Sequence, residues 1–538
     1  MLFRSTIIFT ATCLLLLGSW THAKPIPPLL SHFLSSTGKI GTFLRTPTPT
    51  LIPGHLRPEP PWLQWPPTDA LAVTPRYKPI YTTDEVIDII VDVPKDSVER
   101  SVILHFDGAS STTFEAPVHP GTNIVSVPRA NIAATSTSVS ATLGSDTAKA
   151  TFAIHNQPAP GTSHTVRVDY LRGSLVPQQQ PGSVPPPSEP ALFPFGMYAG
   201  FSSFGAKDPI GAMRELKEMG INHVNFVPPY EDGVQIKALL AAAHDVGVSI
   251  QYDMRHTYVN TTNVTSEVNS HKAYDSLATW YTADEPDGQG FAPEPKSSIN
   301  AYRTINSIDP HRPVMLVLNL AQDSAAQFAP AVDIMMTDVY PVGLDPLECN
   351  PAPDGGCCGC SGCVGDMATD IRRRMQSYRS QLTKIGKPRM PIWMVLQAFS
   401  DPKGCWARAP TPAEYNLMSY VSLIYGAKGL MGWIYPGGLT PELKQLIPTL
   451  SREIVPLASR FILGGDQFVE YTNSKQQISA GAWRTTVDGT RLYIVANTGN
   501  QAVTLSDADV AAIFGQDAVL IEGRRTLQPL AILTITTN

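Results

Sequence analysis

The chain of 538 residues is short of charge. Only 16% of it is Asp, Glu, Lys or Arg, and 40 basic against 46 acidic side chains leave neither sign in clear excess. That balance lacks the basic footprint of a nucleic-acid binder, so no nucleic-acid partner is expected. After the first two dozen residues there is no apolar run of the roughly 20 residues that a membrane span needs, so no transmembrane segment is expected. Cysteine is scarce: of 7 residues, Cys13 lies near the start and the other six are confined to the stretch from Cys349 to Cys405. No Gly-x-Gly-x-x-Gly opens the first strand-to-helix turn, which argues against a dinucleotide site. No cofactor is expected, and the chain is read as a monomer.

What is present begins with a signal-like N-terminus. Arg4 precedes an apolar core from Ile7 to Leu17, and Thr21-His22-Ala23 offers a cleavage site that leaves Lys24 first. Residues 1–23 are therefore read as a signal peptide, and the protein as secreted, extracellular or in a cell wall. In an oxidising compartment Cys349, Cys357, Cys358, Cys360, Cys363 and Cys405 should pair in three disulfides that staple one loop, with the pairing open. A zinc site is the sharper reading, but adjacent cysteines in a Gly-rich run fit zinc poorly, and no metal is expected. Asn260-Thr-Thr and Asn263-Val-Thr are glycosylation acceptors, which belong on an exposed loop.

Proline, at 49 residues, marks the boundaries. Residues 24–75 read as a Pro-rich leader. Residues 76–156 carry short alternating strands and read as a β-sandwich. Residues 157–192 form a second Pro-rich linker that holds one strand-like piece, Thr165-Val-Arg-Val-Asp-Tyr170. From Phe193 strand-like and helix-like runs alternate, giving eight βα units over 193–460. That is the period and the size, about 260 residues, of a (β/α)8 TIM barrel, with a doubly wound sheet as runner-up. A Cys-rich insertion, 342–366, interrupts the barrel, and residues 461–538 return to β as a second sandwich.

In such a barrel, chemistry sits where the strands' C-terminal ends meet their loops. The expected strand ends bring together Tyr198, Asp253 with Arg255 and His256, Asp284 with Glu285, Asp338 with Tyr340, Gln397, and Trp433 with Tyr435. Acidic, aromatic and amide side chains in one place suit a carbohydrate: rings stack on sugar C–H faces, and carboxylates bond hydroxyls. Cleaving a glycosidic bond needs a proton donor and a second stabilising group. Plainer readings stand beside each residue. Trp433 is equally a core residue, Asp253 and Arg255 a structural ion pair, and Asp338 a loop cap. Asp284 and Glu285 are neighbours on a strand and so face opposite ways while the strand stays regular. Pro286 and Gly288 suggest that the chain leaves the ladder there.

Strand four, Trp280-Tyr-Thr-Ala-Asp284-Glu285-Pro286, resembles that of glycoside hydrolases whose fourth strand ends in Asp-Glu. The β-N-acetylgalactosaminidase family with an Asp-Glu-Pro signature, and the related hexosaminidases, are most similar. The resemblance implies that Glu285 is the general acid/base and that Asp284 orients the substrate's own acetamido group as nucleophile. The larger clan of retaining β-glycosidases is also similar in architecture, including the Trp that ends strand eight. Those enzymes carry Asn-Glu after strand four and a nucleophilic Glu on strand seven. Here the residues are Asp284-Glu285 and Gln397, and a Gln cannot be that nucleophile. Three alternatives follow: the acetamido route, a partner carboxylate such as Asp338, or a non-catalytic carbohydrate-binding or cell-wall protein on a barrel scaffold.

Overall fold

Eight parallel strands close into a barrel. They are β1 (Phe195–Gly200), β2 (His223–Val227), β3 (Ser249–Asp253), β4 (Leu277–Asp284), β5 (Val314–Leu318), β6 (Ile334–Val339), β7 (Ile392–Gln397) and β8 (Leu430–Tyr435). β1 pairs with β8, which completes the ring. The computed structural model describes residues 70–537 apart from 109–111, 160–161, 179–191, 231–232, 290–293, 322, 345–362 and 404. The signal-peptide assignment and nearly all of the leader lie outside the described residues, as do Pro185–Pro187 of the linker.

The strands are apolar on both faces because each face has a core to fill. Val-Met-Leu-Val-Leu of β5 is buried throughout. One set of side chains meets the surrounding helices; the other, including Tyr198, Tyr281, Met315, Met336, Trp393 and Met431, fills the barrel interior. The helices are α1 (Pro209–Glu218), α2 (Gly233–Val246), α3 (Thr261–His271), α4 (Lys296–Ile308), α5 (Ser324–Phe328), α6 (Met367–Lys384), α7 (Pro412–Ile424) and α8 (Pro441–Leu457). Their starts are encoded locally. Asp208 caps α1 ahead of Pro209, Thr411 and Glu414 form a reciprocal capping box on α7, and Thr440 caps α8 ahead of Pro441.

The flanking regions are sheets. Towards the N-terminus, a three-stranded sheet (Ala72–Pro75, Val86–Val93, Gly121–Pro128) faces a four-stranded one (Thr112–Pro117, Ser101–Phe106, Ser138–Leu143, Asp146–Thr151) across a common apolar core. This layer starts at Ala72, inside the stretch read as leader. The strand-like piece of the second linker is real: Thr165–Asp169 pairs with Ser174–Gln178 and with Tyr77–Lys78. Its Val166, Val168 and Leu175 join the interior cluster of the barrel. They plug the N-terminal end, so the opposite end is left for chemistry. Towards the C-terminus, a four-stranded antiparallel sheet lays Trp483, Leu492 and Ile494 on the barrel's helix layer. Its other face is covered by a helix, Asp507–Phe514, and a two-stranded ribbon.

The plugged end is anchored by a buried ion pair. Arg312 and Asp309 side chains are both fully buried, 2.7 Å apart, and Trp280 Nε1 and Ser163 Oγ also donate to Asp309. Arg312 further donates to the carbonyls of Leu277 and Tyr274. Removing one partner strands the other charge, a loss of about 3–5 kcal/mol. Arg312→Met is expected to destabilise by that amount in urea unfolding, and a loss below about 1 kcal/mol would mean that the pair is not an anchor.

Candidate active site

The alternation of β4 breaks where the carboxylates begin. Tyr281 faces the interior, but the register with β5 shifts between Tyr281 and Asp284. The bulge puts Asp284 back inside, where it accepts from the Tyr281 hydroxyl at 2.6 Å. Glu285 then adopts φ +49°, a left-handed backbone, and one turn of helix, Pro286–Gln289, follows. Neighbours that a regular strand would point apart therefore both reach the mouth.

They turn to different sides. Asp284 lies towards β3, where Arg255 Nη1 donates to it at 2.7 Å. The same guanidinium meets Asp253 at 2.7 Å, and Asp253 also accepts from the Arg255 backbone N–H. The guanidinium carbon sits 5.3–5.8 Å from the ring centroids of Trp433, Tyr281 and Tyr198. Burial outweighs this cation and lifts the Asp284 pKa to about 6, with Glu285 and Asp253 adding to the rise. Glu285 lies on the other side and hydrogen-bonds the carboxyl of Asp338 at the end of β6. Asp338 is 2% exposed. Burial first, then the charge and hydrogen bond of Glu285, hold its pKa well above the ordinary carboxylate range. Burial and this contact favour a proton on the Asp338 carboxyl. Arg374 of α6 stands behind them, donating to Thr337 Oγ1 and to the Asp338 carbonyl at 2.9 and 3.0 Å.

Of the residues expected at the mouth, Tyr198, Asp284, Glu285, Asp338, Tyr340 and Trp433 converge. Four expectations need correcting. Asp253 is 1% exposed and bonded to Arg255, so it positions Arg255 and has no face for a ligand. Gln397 is fully buried; its amide oxygen accepts from Val342 N–H at 2.8 Å and its nitrogen donates to Val342 and Phe399 carbonyls. It braces two loops and has no free donor direction for a sugar. Tyr435 faces outward to the helix layer, bonding Glu215 of α1 and Lys444 of α8. The Asn260 and Asn263 acceptors are exposed, but on a helix start rather than a loop: Asn260 caps α3 and Asn263 lies in its first turn. His256 is exposed at the rim, with its imidazole pKa lowered by partial desolvation and by Arg255. Cys349, Cys357, Cys358 and Cys360 fall outside the described residues; Cys363 and Cys405 are half-buried. Among the described residues no cluster of His, Cys, Asp or Glu is arranged to hold a metal.

Sequence reasoning missed Tyr281, because period-two counting puts it on the face opposite Asp284 and the bulge cannot be seen in advance. It missed Arg374, which hides in the run Arg372-Arg373-Arg374 that reads as a solvated face. It also missed Phe399 and Trp406, which pack edge-to-face with Tyr340 beyond β6 and β7.

No protein-family model matches the chain, and no curated protein does. Solved structures that overlap it include a Lactobacillus rhamnosus beta-glucuronidase, with 13% identity and a TM-score of 0.37 over 72% of this chain and 68% of that one. A beta-galactosidase from the psychrophilic Marinomonas ef1 gives 10% and 0.38 over 49% and 60%. A Ruminococcus gnavus b-glucuronidase in complex with D-glucuronic acid gives 12% and 0.34 over 69% and 62%. The chain thus spans less than two thirds of the last two. Likeness this loose extends no activity to this chain.

A buried carboxyl with a raised pKa favours the folded state while it is protonated. Its stabilising effect is complete below the unfolded value of about 3.9 and is lost as pH rises through the folded pKa. Asp338→Asn removes that dependence. Its urea stability relative to wild type is expected to improve steadily from pH 4 to pH 8. A constant difference over that range would show that Asp338 does not hold a proton in the folded protein.

Proposed function

We propose that the chain is a secreted glycoside hydrolase acting on O-glycosidic bonds of an oligo- or polysaccharide, with Glu285 as general acid/base. One observation carries this reading: the buried carboxyls of Glu285 and Asp338 stand in hydrogen-bonding contact at the C-terminal mouth of a barrel, beside the Tyr340 ring. Such a pair can deliver a proton to a leaving oxygen and recover it from water. The contact also favours one route over another. An acid and an enzyme nucleophile stand about 5–5.5 Å apart in retaining enzymes, and about 6.5–9.5 Å apart in inverting ones. Carboxyls in hydrogen-bonding contact are closer than either.

Asp338 is therefore read as the partner that keeps the proton available. Asp284, on the far side of Glu285, is read as the group that accepts the N–H of a substrate acetamido group and steers its oxygen to the anomeric carbon. This is the hexosaminidase-like mechanism. Atoms balance: the acetamido oxygen bonds the anomeric carbon, the leaving oxygen takes the proton from Glu285, and water then opens the cyclic intermediate while returning a proton to Glu285. Arg255 and Tyr281 hold Asp284 in place.

A panel of aryl β-glycosides, with and without a 2-acetamido group, tests the activity. The acetamido substrates are expected to be cleaved, and Glu285→Gln is expected to lose roughly 10²–10⁴-fold in kcat while keeping the wild-type melting temperature. Binding of sugars without turnover of any substrate would favour the non-catalytic carbohydrate-binding reading.

The pH profile tests the role of Asp284. It must be ionised to accept an N–H, so kcat/KM is expected to fall as pH drops through about 6. Asp284→Asn should abolish that limb along with most of the preference for acetamido substrates. An unchanged limb in the variant would assign it elsewhere. Secretion and the three disulfides belong to the same proposal; a mature protein whose N-terminal sequencing begins at Met1 would refute the cleavage after Ala23.

A further inference from the structure

The mouth has two sides, and only one is used by the reading above. Asp284 and Arg255 lie together above β3 and β4, with the rings of Tyr281, Tyr198 and Trp433 around the guanidinium. Glu285 turns the other way, towards Asp338 and Tyr340 on β6 and the loop beyond it. A general acid stands next to the oxygen that it protonates, and that oxygen departs with the aglycone. The aglycone must therefore lie on the β6–β7 side.

That side carries three rings. Phe399, beyond β7, meets Tyr340 at 5.1 Å and 90° and Trp406 at 5.1 Å and 68°; Tyr340 and Trp406 complete the triangle at 5.9 Å. Phe399 and Trp406 are half-buried, not sealed in a core. The arrangement is also fixed from behind. Trp406 Nε1 donates to the Tyr340 carbonyl at 2.8 Å. Gln397, at the strand-seven position, ties the Val342 and Phe399 backbones together. A Cβ on Gly438 would fall 2.8 Å from the Phe399 Cβ, so the loop after β8 closes on it as well. Edge-to-face packing holds each ring in place; Tyr340 is buried beneath, and Phe399 and Trp406 keep part of their surface exposed.

We infer that Phe399 and Trp406, held from behind by Tyr340, form an aglycone subsite that stacks the leaving sugar, so that the substrate is at least a disaccharide. The inference rests on Glu285 being the acid. It adds the identity of the leaving group, a pyranose whose C–H face can lie on a ring, as opposed to a small or charged alcohol.

The test compares two substrates with the same glycone: N-acetyl-β-D-glucosaminyl fluoride, which has no sugar aglycone, and N,N′-diacetylchitobiose. β-Galactosyl fluoride and β-1,4-galactobiose serve as the second pair. For Phe399→Ala, the ratio of disaccharide to fluoride kcat/KM is expected to fall roughly 10-fold or more, the scale on which one lost apolar contact is read. Most of the fall should be in KM. Phe399→Leu, which keeps apolar bulk and removes the ring, should fall in the same direction, and Phe399→Tyr should restore the ratio. In Glu285→Gln protein, N,N′-diacetylchitobiose should bind more weakly once Phe399 is also Ala.

An unchanged ratio in both Phe399→Ala and Phe399→Leu overturns the subsite, as does wild-type cleavage of the fluorides with no cleavage of either disaccharide. If wild type cleaves neither fluorides nor disaccharides, it is the glycosidase reading that fails, and the subsite falls with it.

Discussion

A left-handed residue at the end of β4 holds the mouth together. Glu285 carries a full side chain at φ +49°, a conformation that costs on the order of 1–3 kcal/mol and persists only where its surroundings over-determine it. Here they do. Its N–H donates to the Val317 carbonyl of β5, and its own carbonyl accepts from Gly288 N–H. Asp287, two residues on, accepts from the backbone N–H groups of Asn319 and Leu320 and so clamps the next strand's end to the same turn. Gly288 lets the turn close on β5, because a Cβ there would sit 2.5 Å from the Asn319 amide oxygen and push that side chain aside. The turn is thus locked to β5 on one side and to its own helical turn on the other. Released from it, Glu285 would continue the ladder and lose Asp338.

The charges at the mouth follow from that placement. Asp253, Asp284, Glu285 and Asp338 crowd a nearly dry space, against the guanidinium groups of Arg255 and Arg374. Arg255 is shared by two carboxylates on its side. Arg374 meets the other side through a hydroxyl and a carbonyl, and its charge reaches Asp338 only in part. Two cations stand against four carboxyls, and it is Asp338, where the cation is more remote, whose pKa burial and Glu285 raise. An Arg-bound Asp284 and an Asp338 with a raised pKa are the kind of split by environment on which the proposed division of acid and base roles rests.

The barrel itself was legible in the sequence because short strand-like runs, some wholly apolar as in Val314-Met-Leu-Val-Leu318, alternate with helix-like ones. The helix starts at Thr411-Pro-Ala-Glu414 and Thr440-Pro-Glu442 are equally plain in the sequence. Strand-end counting found Asp284, Glu285, Asp338 and Trp433, but it erred wherever direction mattered. Tyr435 follows Trp433 by two residues and should share its face. The paired strands β1 and β8 are out of step between Met197 and Ala199, and Tyr435 instead faces α1. Tyr281 was lost to the opposite error, in β4. A bulge is one inserted residue, and nothing in local composition announces it. Gln397 was placed correctly and misread, since an amide at a strand end serves a sugar or a loop equally well.

Gln397 also bears on which chemistry the barrel can run. A carboxylate in its place would retain an acceptor for Val342 N–H but would have no donor for the carbonyls of Val342 and Phe399. A buried anion would then face two carbonyl oxygens, a repulsive contact with no compensating cation. The β6 and β7 loops could not keep their present relation, and with them would go the alignment of Tyr340 with Phe399 and Trp406. The chain has therefore traded the position from which a strand-seven nucleophile would act for a fixed aromatic wall. On the proposed glycosidase reading, whatever attacks the anomeric carbon has to come from elsewhere. Asp338 is tied to Glu285, and Asp284 is tied to Arg255 and Tyr281. A nucleophile carried by the substrate is the one arrangement that asks none of these side chains to leave its partner.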